Sequence, residues 1–369
     1  MDLTQFLVAW RTTGLQDREV VDALVHPAHA GPSPELAAVL ARWRGHYYWS
    51  DEPDGRHLIL TRRHAAPRRE RWWLHALLLL ATLATTTLVG AVIAGTIPPP
   101  FEDRLAFIWR WPPGATLRDL VPGLGFSLPL LAILLAHELG HYVTARRYLL
   151  DVSPPFFIPL PVIPSFGTMG AFIRLRTMLS DRRQLLDVGL AGPIAGFLVA
   201  LPILVVGFRL SHYIPATEGL RGLVLQFGTT PVATLGDSAV TWLARHWLLG
   251  SNAPVAVAVH PVAFAACVGM FVTTLNLFPM AQLDGGHALY AALPRWQGRV
   301  ARGFWFLLAA LGYYWRGWLY WAVLVLLLSR GSLTHPPVLD AYRPLPPSRR
   351  GFAWGAFLLF LLTFAPIPF

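Results

Sequence analysis

The residues best placed to do chemistry are His137-Glu138-Leu139-Gly140-His141, which sit in an otherwise apolar stretch. On a helix, positions four apart share a face, so both imidazoles can address one metal ion. Glu138 lies next to that face, within reach of a water on the metal. Zinc lowers the pKa of such a water to about 7, and a carboxylate can then take its proton and pass it to a leaving amine. In a soluble helix the same five residues often mean no more than a solvated polar face. Here the run Leu128 to Ala136 ahead of them is apolar, broken only by the helix-bending Pro129. An acid and two histidines inside a spanning helix are costly and mark a functional site.

Two histidines leave a zinc site incomplete, because catalytic zinc takes three protein ligands and keeps one position open. Asp284 is the leading third candidate, in the stretch Asn276-Leu277-Phe278-Pro279-Met280-Ala281-Gln282-Leu283-Asp284-Gly285-Gly286-His287. An acid there could equally be an interfacial residue or a helix terminus. Depth favours the ligand reading. His141 lies just before Arg146, and Asp284 closes its own apolar run, so both motifs are expected at the same side of a membrane. His287 is the competing ligand.

The elements that must hold these residues are membrane spans. The 369 residues are 54% hydrophobic and 14% charged, against roughly a quarter charged in a soluble domain, and the mean hydropathy is +0.48. The formal net charge is +10, and every basic side chain is an arginine. Many arginines cluster at the ends of apolar runs, which points to cytoplasmic loops and away from nucleic acid. The single cysteine, Cys267, excludes an intrachain disulfide and a thiolate zinc site and reads as a small buried residue.

Apolar runs are expected to span at about Trp72–Ile97, Phe126–Tyr148, Leu185–Phe208, Val255–Met280, Gly303–Tyr314, Trp318–Leu328 and Phe352–Phe364. The fifth and sixth are short and separated only by Trp315-Arg316-Gly317, so they form a helical hairpin or one interrupted helix. The fold class expected is an all-α polytopic membrane protein of six or seven transmembrane segments, with a small N-terminal α+β appendage. Residues 1–70 form that soluble appendage and 71–369 the membrane domain, with a catalytic core at about 126–290. In the appendage, Val20 to Val25 and Pro34 to Trp43 read as short helices. His46 to Ser50 and His57 to Arg62 read as strands joined by a turn at Asp51 to Gly55. Met1 to Trp10 lacks a basic segment followed by a long apolar one, so the first span is expected to be its own insertion signal.

Arginines 62, 63, 68, 69 and 71 precede the first span, and Arg146, Arg147, Arg174, Arg176, Arg182, Arg183, Arg295, Arg299 and Arg302 fall on the same side by alternation. Arg104, Arg110 and Arg118 make the first outside loop a weaker case. The balance puts the N-terminus in the cytoplasm. A chain rich in Arg and Ala and free of Lys suits a bacterial genome rich in G and C, hence a multi-pass protein of the bacterial inner membrane.

These two motifs, in this order and on separate spans, resemble the site-2 protease family of intramembrane metalloproteases (peptidase family M50). His137 to His141 matches its HExxH motif, and Asn276 to Gly286 matches its Asn-x-x-Pro-x-x-x-Leu-Asp-Gly-Gly motif. The likeness covers about Leu128 to His287, with no room for an inserted PDZ-like domain between the motifs. It implies one catalytic zinc held by His137, His141 and Asp284, with Glu138 as general base. It also implies that Asn276 holds the substrate or stabilises the oxyanion. Ala191 to Gly196 is similar to a Gly-Pro element common in that family and reads as packing beside the metal.

Between the motifs, Pro154 to Arg176 carries Phe166-Gly167-Thr168-Met169-Gly170-Ala171-Phe172. It is expected to form a re-entrant hairpin between the second and third spans, with Gly167, Thr168, Met169 and Gly170 meeting substrate. Non-helical backbone is tolerated at membrane depth only when buried or lining a cavity, and a strand edge could pair with an unwound substrate. A structural loop is the alternative. His75 and His260 read as interfacial or packing residues. The expected partners are the lipid bilayer and transmembrane or membrane-associated protein substrates; the oligomeric state is not readable. Two other functions compete. A metal transporter would spread ligands along its depth and often show repeats, and neither is found. An inactive scaffold would not need the complete His-Glu-His and Asp set.

Overall fold

The computed structural model describes residues 3–14, 18–43, 45–63, 70–98, 114–160, 166–176, 179, 181–214, 222–250, 256–336, 338 and 344–368. Arg68, Arg69, Arg104, Arg110 and the expected start of a span at Val255 lie outside the described residues.

The N-terminal part is a four-stranded antiparallel sheet of β1 (Leu7–Gly14), β2 (Arg18–Val25), β3 (His46–Glu52) and β4 (Gly55–Arg63), in the order β1-β2-β4-β3. Helix α1 (Pro34–Leu40) starts where the Ser33 hydroxyl accepts from the Leu36 N–H. Phe6, Val25, Leu36, Leu40, Leu58 and Leu60 form its core. The helix expected over Val20 to Val25 is instead strand β2, paired with β1 and β4. The run is short and Val-rich. Its burial alternates at Ala23 and Val25, the two-residue period of a strand, and β-branched residues fit a sheet flanked on both sides.

Three helices are long and apolar enough to cross a membrane: α2 (Trp72–Ile93), α3 (Leu124–Arg147, with a leading 3-10 turn from Leu117) and α4 (Arg182–Leu210). Strands β5 (Phe156–Pro159) and β6 (Thr168–Phe172) pair antiparallel between α3 and α4. After α4 come β7 (His212–Ile214), β8 (Gly222–Phe227), β9 (Thr230–Leu235), helix α5 (Ala239–Leu249) and β10 (Ala256–Ala258). These strands form a second sheet in the order β7-β10-β8-β9, between the apolar runs read as the third and fourth spans. Then follow α6 (Pro261–Asn276), α7 (Asp284–Ala292), α8 (Pro294–Leu311), α9 (Gly317–Leu328) and α10 (Pro347–Thr363). Helices α8 and α9 are separate and fold back on each other, with the Trp305 Nε1–H donating to the Ala322 carbonyl at 3.0 Å.

The bundle core sets the site. Phe126, Leu130, Ile133 and Leu134 of α3 pack with Ala200, Leu204 and Phe208 of α4 and Phe264 and Val268 of α6. Small residues allow α3 and α4 to touch along their backbones. A Cβ at Gly140 would lie 2.3 Å from the Ala191 carbonyl oxygen.

Candidate metal centre

His137 and His141 project from one face of α3 and are buried. Asp284 is the first residue of α7, beyond a turn that brings the chain back toward α3. The two Nε2 atoms are 3.1 Å apart, and Asp284 Oδ2 is 3.3 Å from each. Zinc bonds of about 2.0–2.1 Å at tetrahedral angles put ligand atoms roughly 3.3–3.4 Å apart. The triangle therefore fits one zinc ion, and two imidazoles with one carboxylate are a donor set suited to it. The bundle orients these ligands from behind. His141 Nδ1 donates to the Val188 carbonyl at 2.7 Å, which fixes the tautomer and leaves Nε2 free to face a metal.

Three glycines on α4 make room for imidazoles. A Cβ at Gly192 would come within 2.1 Å of His141 Nε2, one at Gly196 within 3.2 Å of His137, and one at Gly189 within 3.0 Å of His287. Spaced three and four apart, they share one helix face. That spacing is visible in the sequence, although the imidazoles it serves are not.

The Asn276 side-chain amide, on the last residue of α6, lies 3.2 Å from His137 Nε2. Glu138 is buried next to the two histidines, and its carboxylate accepts the backbone N–H of Ile173, one residue past β6. The hairpin thus ends at Glu138, a contact that only the fold reveals. His287, the competing ligand, has Nδ1 2.7 Å from His335 Nε2. Among the described residues, the group on α3 and α7 that could hold a metal is His137, His141 and Asp284.

The four hairpin residues divide. The Gly167 carbonyl accepts from the Leu160 N–H and the Thr85 hydroxyl, and a Cβ there would strike Thr85 and Thr86 of α2. The Thr168 hydroxyl donates to the Ile158 carbonyl and accepts from the Gly170 N–H. Met169 is exposed, and Gly170, at φ +103°, has open space where a Cβ would be.

The family profile described as Peptidase family M50 matches residues 125–306. A chloroplastic protein of Oryza sativa subsp. japonica, named probable zinc metalloprotease EGY1, is 34% identical over 186 residues, 49% of this chain and 30% of that protein. The probable zinc metalloprotease EGY2 of Oryza sativa subsp. indica is 31% identical over 258 residues, 69% of this chain and 44% of that protein. Its counterpart in Arabidopsis thaliana is 28% identical over 258 residues, 69% of this chain and 43% of that protein. The chain thus spans less than half the length of each of these relatives. No solved structure matches it. Both motifs that build the centre fall inside the segment that matches Peptidase family M50, so in residues 125–306 the chain is similar to that family.

Proposed function

We propose that this chain is an intramembrane zinc metalloendopeptidase that hydrolyses peptide bonds of membrane proteins within or beside the bilayer. The observation that carries this reading is the convergence of His137 Nε2, His141 Nε2 and Asp284 Oδ2 at zinc-ligand spacing, with a buried carboxylate alongside. His137, His141 and Asp284 would hold the ion, which supplies Lewis-acid activation of water and of the scissile carbonyl. Glu138 takes the proton of the attacking water and returns it to the leaving amine. The Asn276 amide donates toward the substrate carbonyl oxygen as charge develops there.

The substrate meets this chain as a strand. The Ile173 N–H faces Glu138. Backbone groups of a strand alternate in direction, so the N–H and C=O of Ala171 face the same edge, away from β5. A single-span or membrane-associated protein, locally unwound, can pair along Met169 to Ile173 and expose a carbonyl beside Glu138. Support for a re-entrant position comes from Gly167, which abuts Thr85 and Thr86; these lie about 20 Å along α2 from its start.

Helices α6 and α8 to α10 complete a membrane domain of six or seven spans. Exposed Phe306, Leu307, Val323, Leu327, Phe357 and Leu361 suit lipid contact on α8, α9 and α10. The arginine distribution puts the N-terminus and the metal-side ends of α3 and α4 in the cytoplasm, and the Lys-free composition suits a bacterial inner membrane. The related proteins are named as chloroplastic.

The test compares purified wild type with Glu138→Ala for zinc content and for cleavage of a panel of transmembrane peptides. The variant is expected to keep one zinc per chain and to lose cleavage by about 10²–10⁴-fold. Wild type without zinc, or equal cleavage by both, sinks the reading.

A further inference from the structure

Residues 332–335 follow α9 and lie beyond the segment matched by the family profile, 125–306. They run as a strap over the turn and helix that carry Asp284. The Leu333 carbonyl accepts the Ala281 N–H at 2.8 Å and the Gln297 side-chain amide at 3.3 Å. Gln297 is itself buried, and its Oε1 accepts the His335 N–H at 3.1 Å. The His335 ring stacks on Tyr290 of α7 at 4.6 Å between centroids, and its Nε2 meets His287 Nδ1.

The partners decide the proton positions. The Pro336 carbonyl can only accept, so His335 Nδ1 is the donor there. In a neutral imidazole the other nitrogen accepts, so the His287 Nδ1–H donates to His335 Nε2. Burial pushes both histidines below their usual value, His287 to about 4, which fits this neutral pair.

Two of these contacts, at Ala281 and His287, lie within one helical turn of the carboxylate. His287 is three residues after Asp284 on the same helix and shares its side. Ala281 is three residues before it, at φ +52°, a left-handed conformation that an alanine holds only against a cost. The Leu333 carbonyl secures that residue from outside the turn.

We propose that this strap sets the position of the Asp284 carboxylate, with His335 and Gln297 as positioning residues of the metal centre. The proposal rests on the zinc reading above. Groups that orient a ligand from behind tune metal affinity by about 10–100-fold.

Zinc affinity is measured by chelator competition for wild type, His335→Ala, His335→Gln and Gln297→Ala. Visible spectra of the cobalt-loaded proteins are recorded beside amide exchange of the metal-free proteins. His335→Ala is expected to bind zinc about 10–100-fold more weakly, to shift the cobalt bands, and to exchange faster across residues 281–287. His335→Gln, whose Oε1 can accept from His287, is expected to recover most of the affinity. Should His335→Ala fail to fold, Gln297→Ala carries the same three readouts. Unchanged affinity, spectrum and exchange in the variants overturn the strap. A wild type that binds no zinc overturns the metal reading instead. Exchange then decides the strap: faster across 281–287 sustains its hold on the turn, and unchanged exchange removes it.

Discussion

Gly192 has no room for a side chain because His141 occupies the space. A methyl there would displace the imidazole, since the backbones of α3 and α4 are already in contact beside it at Gly140 and Ala191. Gly192→Ala is therefore expected to weaken zinc binding by more than about 10-fold, measured as zinc retained after dialysis against a mild chelator. Gly125→Ala, with nothing within 4 Å of the new Cβ, serves as the control and should retain wild-type zinc. Asp284→Asn removes the anionic ligand while keeping its shape, and should lose zinc while the fold survives. Zinc retained at wild-type affinity in that variant would point to His287 or another group as the third ligand.

At the scale of elements, the β5–β6 hairpin is tied to α2 at several points. The His75 Nδ1–H donates to the Pro155 carbonyl and its ring packs on Phe156 at 4.1 Å. Beyond β6, Arg176 pairs with Glu70, just ahead of α2, at 2.5 Å. The guanidinium hydrogen bond holds the Glu70 carboxyl below its ordinary value. The stabilisation it brings is complete above the unfolded glutamate value of about 4.3. It is lost as pH falls through the depressed folded value. Arg176→Gln should therefore lower thermal stability near neutral pH and lose that difference as the medium is acidified through the glutamate range. A stability gap that persists under acid would assign the effect of Arg176 to something other than Glu70. Strand pairing is tested separately. Ala171→Pro removes an N–H from the edge that faces Glu138, and should abolish cleavage while zinc content stays at wild type. Intact cleavage in this variant would remove the strand-pairing account.

For the molecule as a whole, the two four-stranded sheets flank α2 in different ways. The N-terminal sheet precedes its start at Trp72, and the Gly228 N–H donates to the carbonyl of Ile93 at its other end. Introduced thiols at Ala38 and Thr234, both exposed, should react with an impermeant maleimide from opposite faces of a sealed membrane, in a Cys267→Ser background. Labelling of both from one face would refute the proposed topology. Zinc binding should also stabilise the whole fold, because the ligands come from α3 and α7 and meet only in the native state. Saturation at about 100 times Kd corresponds to roughly 2.7 kcal/mol, visible as a fall in Tm on chelation that readdition of zinc reverses.

The paired candidate imidazoles and the helices that carry such motifs were legible in the amino-acid order because they are local. Residues 137 and 141 share a helix face by spacing alone, and long apolar runs announce α2, α3 and α4. Pairing decided the rest. Val20 to Val25 became a strand because β1 and β4 flank it, which a short apolar run does not reveal. In the second sheet β8 and β9 form a hairpin across Gly228-Thr229, but β10 joins from beyond a helix and pairs parallel with β8, so no local signal marks that pairing in the chain. Tertiary structure alone brought Val188 to His141, Ile173 to Glu138 and His335 to His287. Each is a contact across 35 to 48 positions of sequence or rests on a backbone group that every residue possesses. Such contacts leave no mark in residue type, because what selects them is where the packed helices put the backbone.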